Sequence, residues 1–128
     1  MASVKNFISV IVMITAIVLL HAYKPEAALV KFFNTSKEDF IQVTGRIAGK
    51  EFRFNDLKAG KSTPYIQIGK TFLTGNFKVI TATDTLEYSP SAEEIMKQEE
   101  YSKGRFIMEL NIEVKEGKRI LVLKSFKK

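Results

Sequence analysis

Arg105 to Phe126 reads R-F-I-M-E-L-N-I-E-V-K-E-G-K-R-I-L-V-L-K-S-F. Its first half alternates. Phe106, Met108, Leu110, Ile112 and Val114 fall on one face, while Glu109, Asn111 and Glu113 fall on the other together with Ile107. A side-chain period of two is that of a half-buried strand. Lys115-Glu116-Gly117-Lys118 is a turn, and Arg119 to Phe126 returns, which makes the pair a hairpin. Ile120-Leu121-Val122-Leu123 is apolar on both faces, a pattern that predicts a central strand covered on both sides.

The same rhythm runs back through the chain. Asp39 to Ile47 alternates, with Ile41, Val43, Gly45 and Ile47 on one face. Ala48-Gly49-Lys50 connects it to Glu51–Phe54, where Phe52 and Phe54 point the same way, so a second hairpin is expected. Ala28 to Phe33 is an extended run ended by Asn34-Thr35-Ser36-Lys37. Asp56 to Pro64 is a loop pinned by Leu57, and Tyr65 to Ile68 is a short strand. Phe72 to Thr83 reads as a longer strand with Gly75 marking a bulge. Thr83-Asp84 turns it into Thr85–Tyr88. Ser91 followed by Glu94 fits a capping box, so a short helix is expected at about 91–98, with Ile95 and Met96 facing inward.

Seven or eight strands at roughly ten-residue spacing, with no long helix, predict an all-β fold: an antiparallel, immunoglobulin-like β-sandwich. A partly open barrel is the alternative. The domain spans residues 28–128, after a different kind of segment. Phe7 to Leu20 carries no charge, Pro or Gly. It matches the apolar core of a signal peptide, or with His21 to Tyr23 a short membrane anchor, since a spanning helix wants about 20 residues. Residues 1–23 are therefore read as a signal peptide or anchor, which places the domain in the cell envelope or outside the cell. Lys5 lies before the run and Lys24, Lys31 and Lys37 after it, so charge does not orient it.

Composition removes several chemistries. With no Cys, there is no disulfide framework, thiolate metal site or lipidated cysteine. The single His, His21, sits at the edge of the apolar run. A His-dependent triad, His general base or His-ligated metal is thus closed to the domain. The net charge of +6 and pI near 9.5 would attract anionic membranes, acidic wall polymers or nucleic acid. The basic residues are scattered, as in Lys58/Lys61, Lys115/Lys118/Arg119 and Lys124/Lys127/Lys128, which favours solvated surface lysines and argues against nucleic acid.

Five motifs bear on chemistry. Gly60-Lys61-Ser62 resembles the end of a phosphate-binding loop, but Asn55 stands where the motif needs Gly, and Pro64 blocks the required helix. Glu93, Glu94, Glu99 and Glu100 cluster as glycosidase or calcium carboxylates do, yet in an irregular stretch that reads as a solvated acidic loop. Glu109 and Glu113 read as solvent-facing, opposite Lys or Arg on a neighbouring strand. Aromatics interleaved with Lys, at Phe72 to Lys78 and Tyr101 to Phe106, could stack sugars or bases, although alternation buries half of them. Asn34-Thr35-Ser36 matches a glycosylation acceptor.

The apolar segment followed by Asn34-x-Ser36, Phe40, Phe52-x-Phe54-x-x-Leu57-x-x-Gly60, Asp84-Thr85-Leu86 and Gly104-x-Phe106-x-x-x-Leu110 resembles small uncharacterised bacterial envelope proteins. Those have one N-terminal membrane segment and one immunoglobulin-like domain. The resemblance implies location and fold and no active-site residue. The expectation is a non-enzymatic extracytoplasmic domain with no catalytic, cofactor or metal residue, binding a protein or envelope polymer, with membrane contact through the N-terminal segment. A carboxylate-dependent hydrolase or carbohydrate-active enzyme, and an anionic-polymer or nucleic-acid binder, are the alternatives.

Overall fold

Strand-forming segments and turns alternate along residues 27–128, the part of the chain described by the computed structural model. The elements are β1 (Ala28–Asn34), β2 (Phe40–Ile47), β3 (Lys50–Leu57), β4 (Ile66–Gly69), β5 (Asn76–Ile80), β6 (Thr85–Tyr88), α1 (Ala92–Lys97), β7 (Gly104–Lys115) and β8 (Lys118–Lys127). The signal peptide or anchor expected over 1–23 lies outside the described residues. Among those described, no helix is long and apolar enough to cross a membrane.

The eight strands form two four-stranded sheets, ordered β4-β1-β7-β8 and β3-β2-β5-β6. The three expected hairpins all form. Ala48 and Gly49 have φ of 51° and 80°, and Glu116 and Gly117 have 52° and 76°. Two successive left-handed residues are the mark of a type I′ turn, whose twist matches that of the strands it joins. One pairing departs from the antiparallel expectation: β1 runs parallel to β7, from Ala28 opposite Gly104 to Asn34 opposite Leu110.

One core lies between the sheets. Val30 and Phe32, Phe106, Met108 and Leu110 supply one side, and Val43, Ile47, Phe77 and Val79 the other, all buried. Phe32 is its centre, stacked on Phe52 at 4.4 Å between ring centroids and edge-on to Phe77 at 5.9 Å. Each fully buried side chain of this size contributes about 1.5–3 kcal/mol of transfer free energy. This two-layer packing is a sandwich, and no closed barrel forms.

Several local expectations need correction. Ile120 to Leu123 lies in β8, an edge strand and not a central one. Its second apolar face is the outer face of the sheet, where Ile120, Val122 and Phe126 are half-buried. Its free edge lies alongside β6 of the other sheet. The long strand predicted from Phe72 starts only at Asn76. A Cβ on Gly75 would strike the Arg46 carbonyl oxygen, so Gly75 marks a close approach to β2. Ile41 is 49% exposed while Phe40 is fully buried, an inversion of the predicted phase at the strand end facing Asp56, whose φ is +55°. Val114 is exposed because the β7–β8 hairpin overhangs the core. The helix forms, with Ser91 accepting from the Glu94 amide as its N-cap, but Ile95 and Met96 point to solvent and none of its residues is buried.

Candidate functional site

A surface concavity of about 720 Å³ lies on the outer face of the β3-β2-β5-β6 sheet. Register builds it. Thr44 on β2 pairs with Arg53 on β3 and Lys78 on β5, and Lys78 pairs with Glu87 on β6. Directly opposed residues share a face, so Arg53, Thr44, Lys78 and Glu87 form one polar ladder across all four strands. The next ladder toward the β2–β3 turn is Glu51, Arg46 and Asn76. Arg46 forms an ion pair with Glu51, whereas Arg53 and Lys78 have no ion-pair partner among the described residues.

Gly45 shapes the floor from behind. Its inward side carries no Cβ, and Phe52 and Phe77 close over that gap with ring centroids 5.8 Å apart. A Cβ there would overlap the Phe52 ring and come within 2.9 Å of Phe77 Cδ1. Gly45 was expected on the core face, and it lies there; the two rings explain why the residue is glycine.

The acidic residues singled out in the sequence do not converge. Glu93 pairs with Lys97 at 2.7 Å, Glu94 accepts from Tyr88 Oη at 2.8 Å, Glu99 accepts from Tyr101 Oη at 3.2 Å, and Glu100 faces Lys70 at 3.5 Å. Burial, then the Glu94 hydrogen bond, pushes the Tyr88 phenol above its usual range, and the Glu99 hydrogen bond raises Tyr101. Glu93, Glu94, Lys97, Glu99 and Tyr101 line a second concavity of about 580 Å³ between α1 and Leu73-Thr74. Among the described residues no three His, Cys, Asp or Glu side chains gather as a cation site. Glu109 does lie opposite Lys124, but Glu113 lies opposite Ile120.

The Gly60-Lys61-Ser62 loop runs along β1 instead of around a phosphate. Gly60 N donates to Asn34 O at 2.8 Å, Asn34 N to Lys61 O at 2.9 Å, and Thr63 N to Phe32 O at 2.8 Å. Asn34 of the sequon is fully buried: its Nδ2 donates to the carbonyls of Glu38 and Leu57, and its Oδ1 accepts from the amide and hydroxyl of Ser36. In the folded protein that amide is engaged through both its nitrogen and its oxygen. Of the aromatics considered for stacking, Phe77 and Phe106 are buried, and Tyr101 packs on Phe106 at 4.9 Å.

Sequence reasoning missed the ion cluster of Arg119, Glu38 and Asp84. Arg119 reaches Glu38 at 2.7 and 3.0 Å and Asp84 at 3.0 and 3.1 Å, engaging each carboxylate with two nitrogen–oxygen contacts. The Arg119 hydrogen bonds, then that of Thr81, hold the Asp84 carboxyl below its usual range against the opposing effect of burial. The same two carboxylates hold the guanidinium firmly protonated. Nothing in the local sequence signals this cluster, because its members come from three separate segments.

No protein-family model, curated protein or solved structure matches this chain.

Proposed function

We propose that the protein is a non-enzymatic, extracytoplasmic β-sandwich of the bacterial envelope, tethered or released, that acts by surface binding to a protein or an acidic envelope polymer. The observation that carries this reading is the ladder of Arg53, Thr44 and Lys78 on an open sheet face. Two cations with no ion-pair partner among the described residues, flanking a hydroxyl across neighbouring strands, offer charge and hydrogen bonds to an extended anionic ligand. The envelope location rests on the Phe7–Leu20 run. The immunoglobulin-like label applies to the two-layer architecture only. An immunoglobulin constant domain sets its first, second, fifth and fourth strands in one sheet, an order that differs from β3-β2-β5-β6 and β4-β1-β7-β8.

The hydrolase alternative is weaker. A glycosidase-type general acid needs a carboxyl raised toward neutrality and placed opposite a second one. Here the acidic cluster is dispersed among separate partners, and Asp84 is shifted the other way by Arg119.

The test is a titration of the isotope-labelled chain with a soluble acidic polysaccharide, followed by amide chemical shifts. Shifts centred on Thr44, Arg53 and Lys78 are expected. Substituting Arg53→Glu and Lys78→Glu together should weaken binding about tenfold or more, or ~1.4 kcal/mol. Shifts that avoid this face would refute the assignment. Fractionation of a bacterial host with intact mass measurement tests location, and full-length protein in the soluble cytosol would refute export.

A further inference from the structure

The end of the β4-β1-β7-β8 sheet at which β1 begins differs from the rest of the surface. Parallel pairing puts the starts of β1 and β7 side by side, Leu29 beside Arg105 and Lys31 beside Ile107. The end of β8 arrives at the same place, with Phe126 opposite Ile107 and Lys127 opposite Phe106. The outer face there mixes half-buried apolar side chains, Leu29, Ile107 and Phe126, with the cations Lys31 and Arg105, while exposed Lys127, opposite Phe106, projects from the inward side at the rim of the same end. Lys31 and Arg105 both sit over the Tyr65 ring, at 5.3 and 5.7 Å from its centroid. Lys31, Lys103, Arg105 and Lys127 have no ion-pair partner among the described residues; of the acids nearest Lys103 in sequence, Glu99 accepts from Tyr101 and Glu100 faces Lys70, and Glu109, four residues beyond Arg105, lies opposite Lys124.

This patch lies where the chain arrives from the apolar run. Residues 21–27 separate Leu20 from β1, and seven residues span at most about 25 Å. We infer that this end of the sheet docks on the anionic headgroups of the bilayer that holds the N-terminal run, with Lys31, Lys103, Arg105 and Lys127 facing phosphate and Leu29 and Phe126 entering the interface. Cations near an anionic leaflet and apolar side chains at its boundary act together in interfacial binding. The inference rests on the tethered form of the proposed function. It uses a different surface from the Arg53–Lys78 ladder.

The experiment uses the full chain reconstituted into vesicles of phosphatidylcholine alone, or of phosphatidylcholine with phosphatidylglycerol. Vesicles are floated on a density gradient, and lysines are acetylated and read by mass spectrometry. The expected result is flotation in both, with Lys31, Lys103 and Lys127 modified about three- to tenfold more slowly on phosphatidylglycerol vesicles, a protection that salt removes. Lys58, Lys61 and Lys118, at the opposite end, serve as internal references. Substituting the exposed pair Arg105→Glu and Lys127→Glu should leave flotation unchanged and abolish protection of Lys103. Flotation with equal labelling on both vesicles overturns the docking and leaves the tether standing. A chain left at the bottom of the gradient overturns both. Equal protection on phosphatidylcholine vesicles by added soluble polyphosphate would assign the patch to an acidic polymer and overturn the lipid assignment.

Discussion

Arg119 Nε and Nη2 meet the two carboxylate oxygens of Asp84 at 3.0 and 3.1 Å, joining β8 of one sheet to the β5–β6 turn of the other. Glu38, from the β1–β2 connection, completes the cluster. The Asp84 carboxyl lies below its ordinary value of 3.8, with Arg119 the leading cause. A depressed folded-state pKa stabilises the fold above the unfolded value, and that stabilisation is lost as pH falls through the lower one. Arg119→Gln should therefore lower the denaturation midpoint at neutral pH. Its deficit relative to the native chain should shrink as pH falls below 3.8 and on through the lowered Asp84 value, where that carboxyl protonates in the native chain too. Chemical denaturation at the two pH values measures this.

Gly45→Ala should destabilise the protein by about 1–3 kcal/mol, the usual cost of overpacking a close-packed core. In a strand without the Phe52 and Phe77 rings, the same change would be expected to help by about 0.5–1 kcal/mol. The sign of the shift in urea midpoint decides between the two.

Asn34→Ala should cost about 3 kcal/mol, because it strands the Leu57 and Glu38 carbonyls and the Ser36 amide in a buried place. The companion expectation is chemical. Expressed in a host that glycosylates Asn-x-Ser, the folded chain should keep an unmodified Asn34 by intact mass.

Ala48→Asn and Glu116→Asn should each stabilise by about 1 kcal/mol, since both positions hold left-handed φ, where Asn is tolerated far better than Ala or Glu. Thermal melts of the single and double variants check this, and the two effects should add because the turns lie on different sheets.

Much of the strand inventory was legible because alternation and turn residues are local signals. Phe106, Met108 and Leu110 point inward as their spacing requires, and Gly49 and Gly117 mark the hairpins. What escaped the reading is non-local. An apolar run such as Ile120 to Leu123 looks alike at the centre of a sheet and at an edge whose outer face is half-covered. Arg119 meets Asp84 and Glu38 across 35 and 81 residues, beyond any pattern of spacing. Asn34 matched a modification motif, yet its polar groups are all spent within the fold. The Arg53–Lys78 ladder was invisible until register set β2 between β3 and β5.

The parallel seam between β1 and β7 has a consequence for how the molecule is made. The hairpins close over short stretches of chain, and β4 pairs one edge of β1, but the other edge of β1 meets its partner only in β7, and Thr35 bonds Leu110 from 75 residues away. Contacts of such separation form slowly. One edge of β1 is therefore left unpaired until nearly the last strands have emerged. For an exported chain this delay is useful, because a polypeptide that cannot finish its first sheet early stays threadable while it crosses.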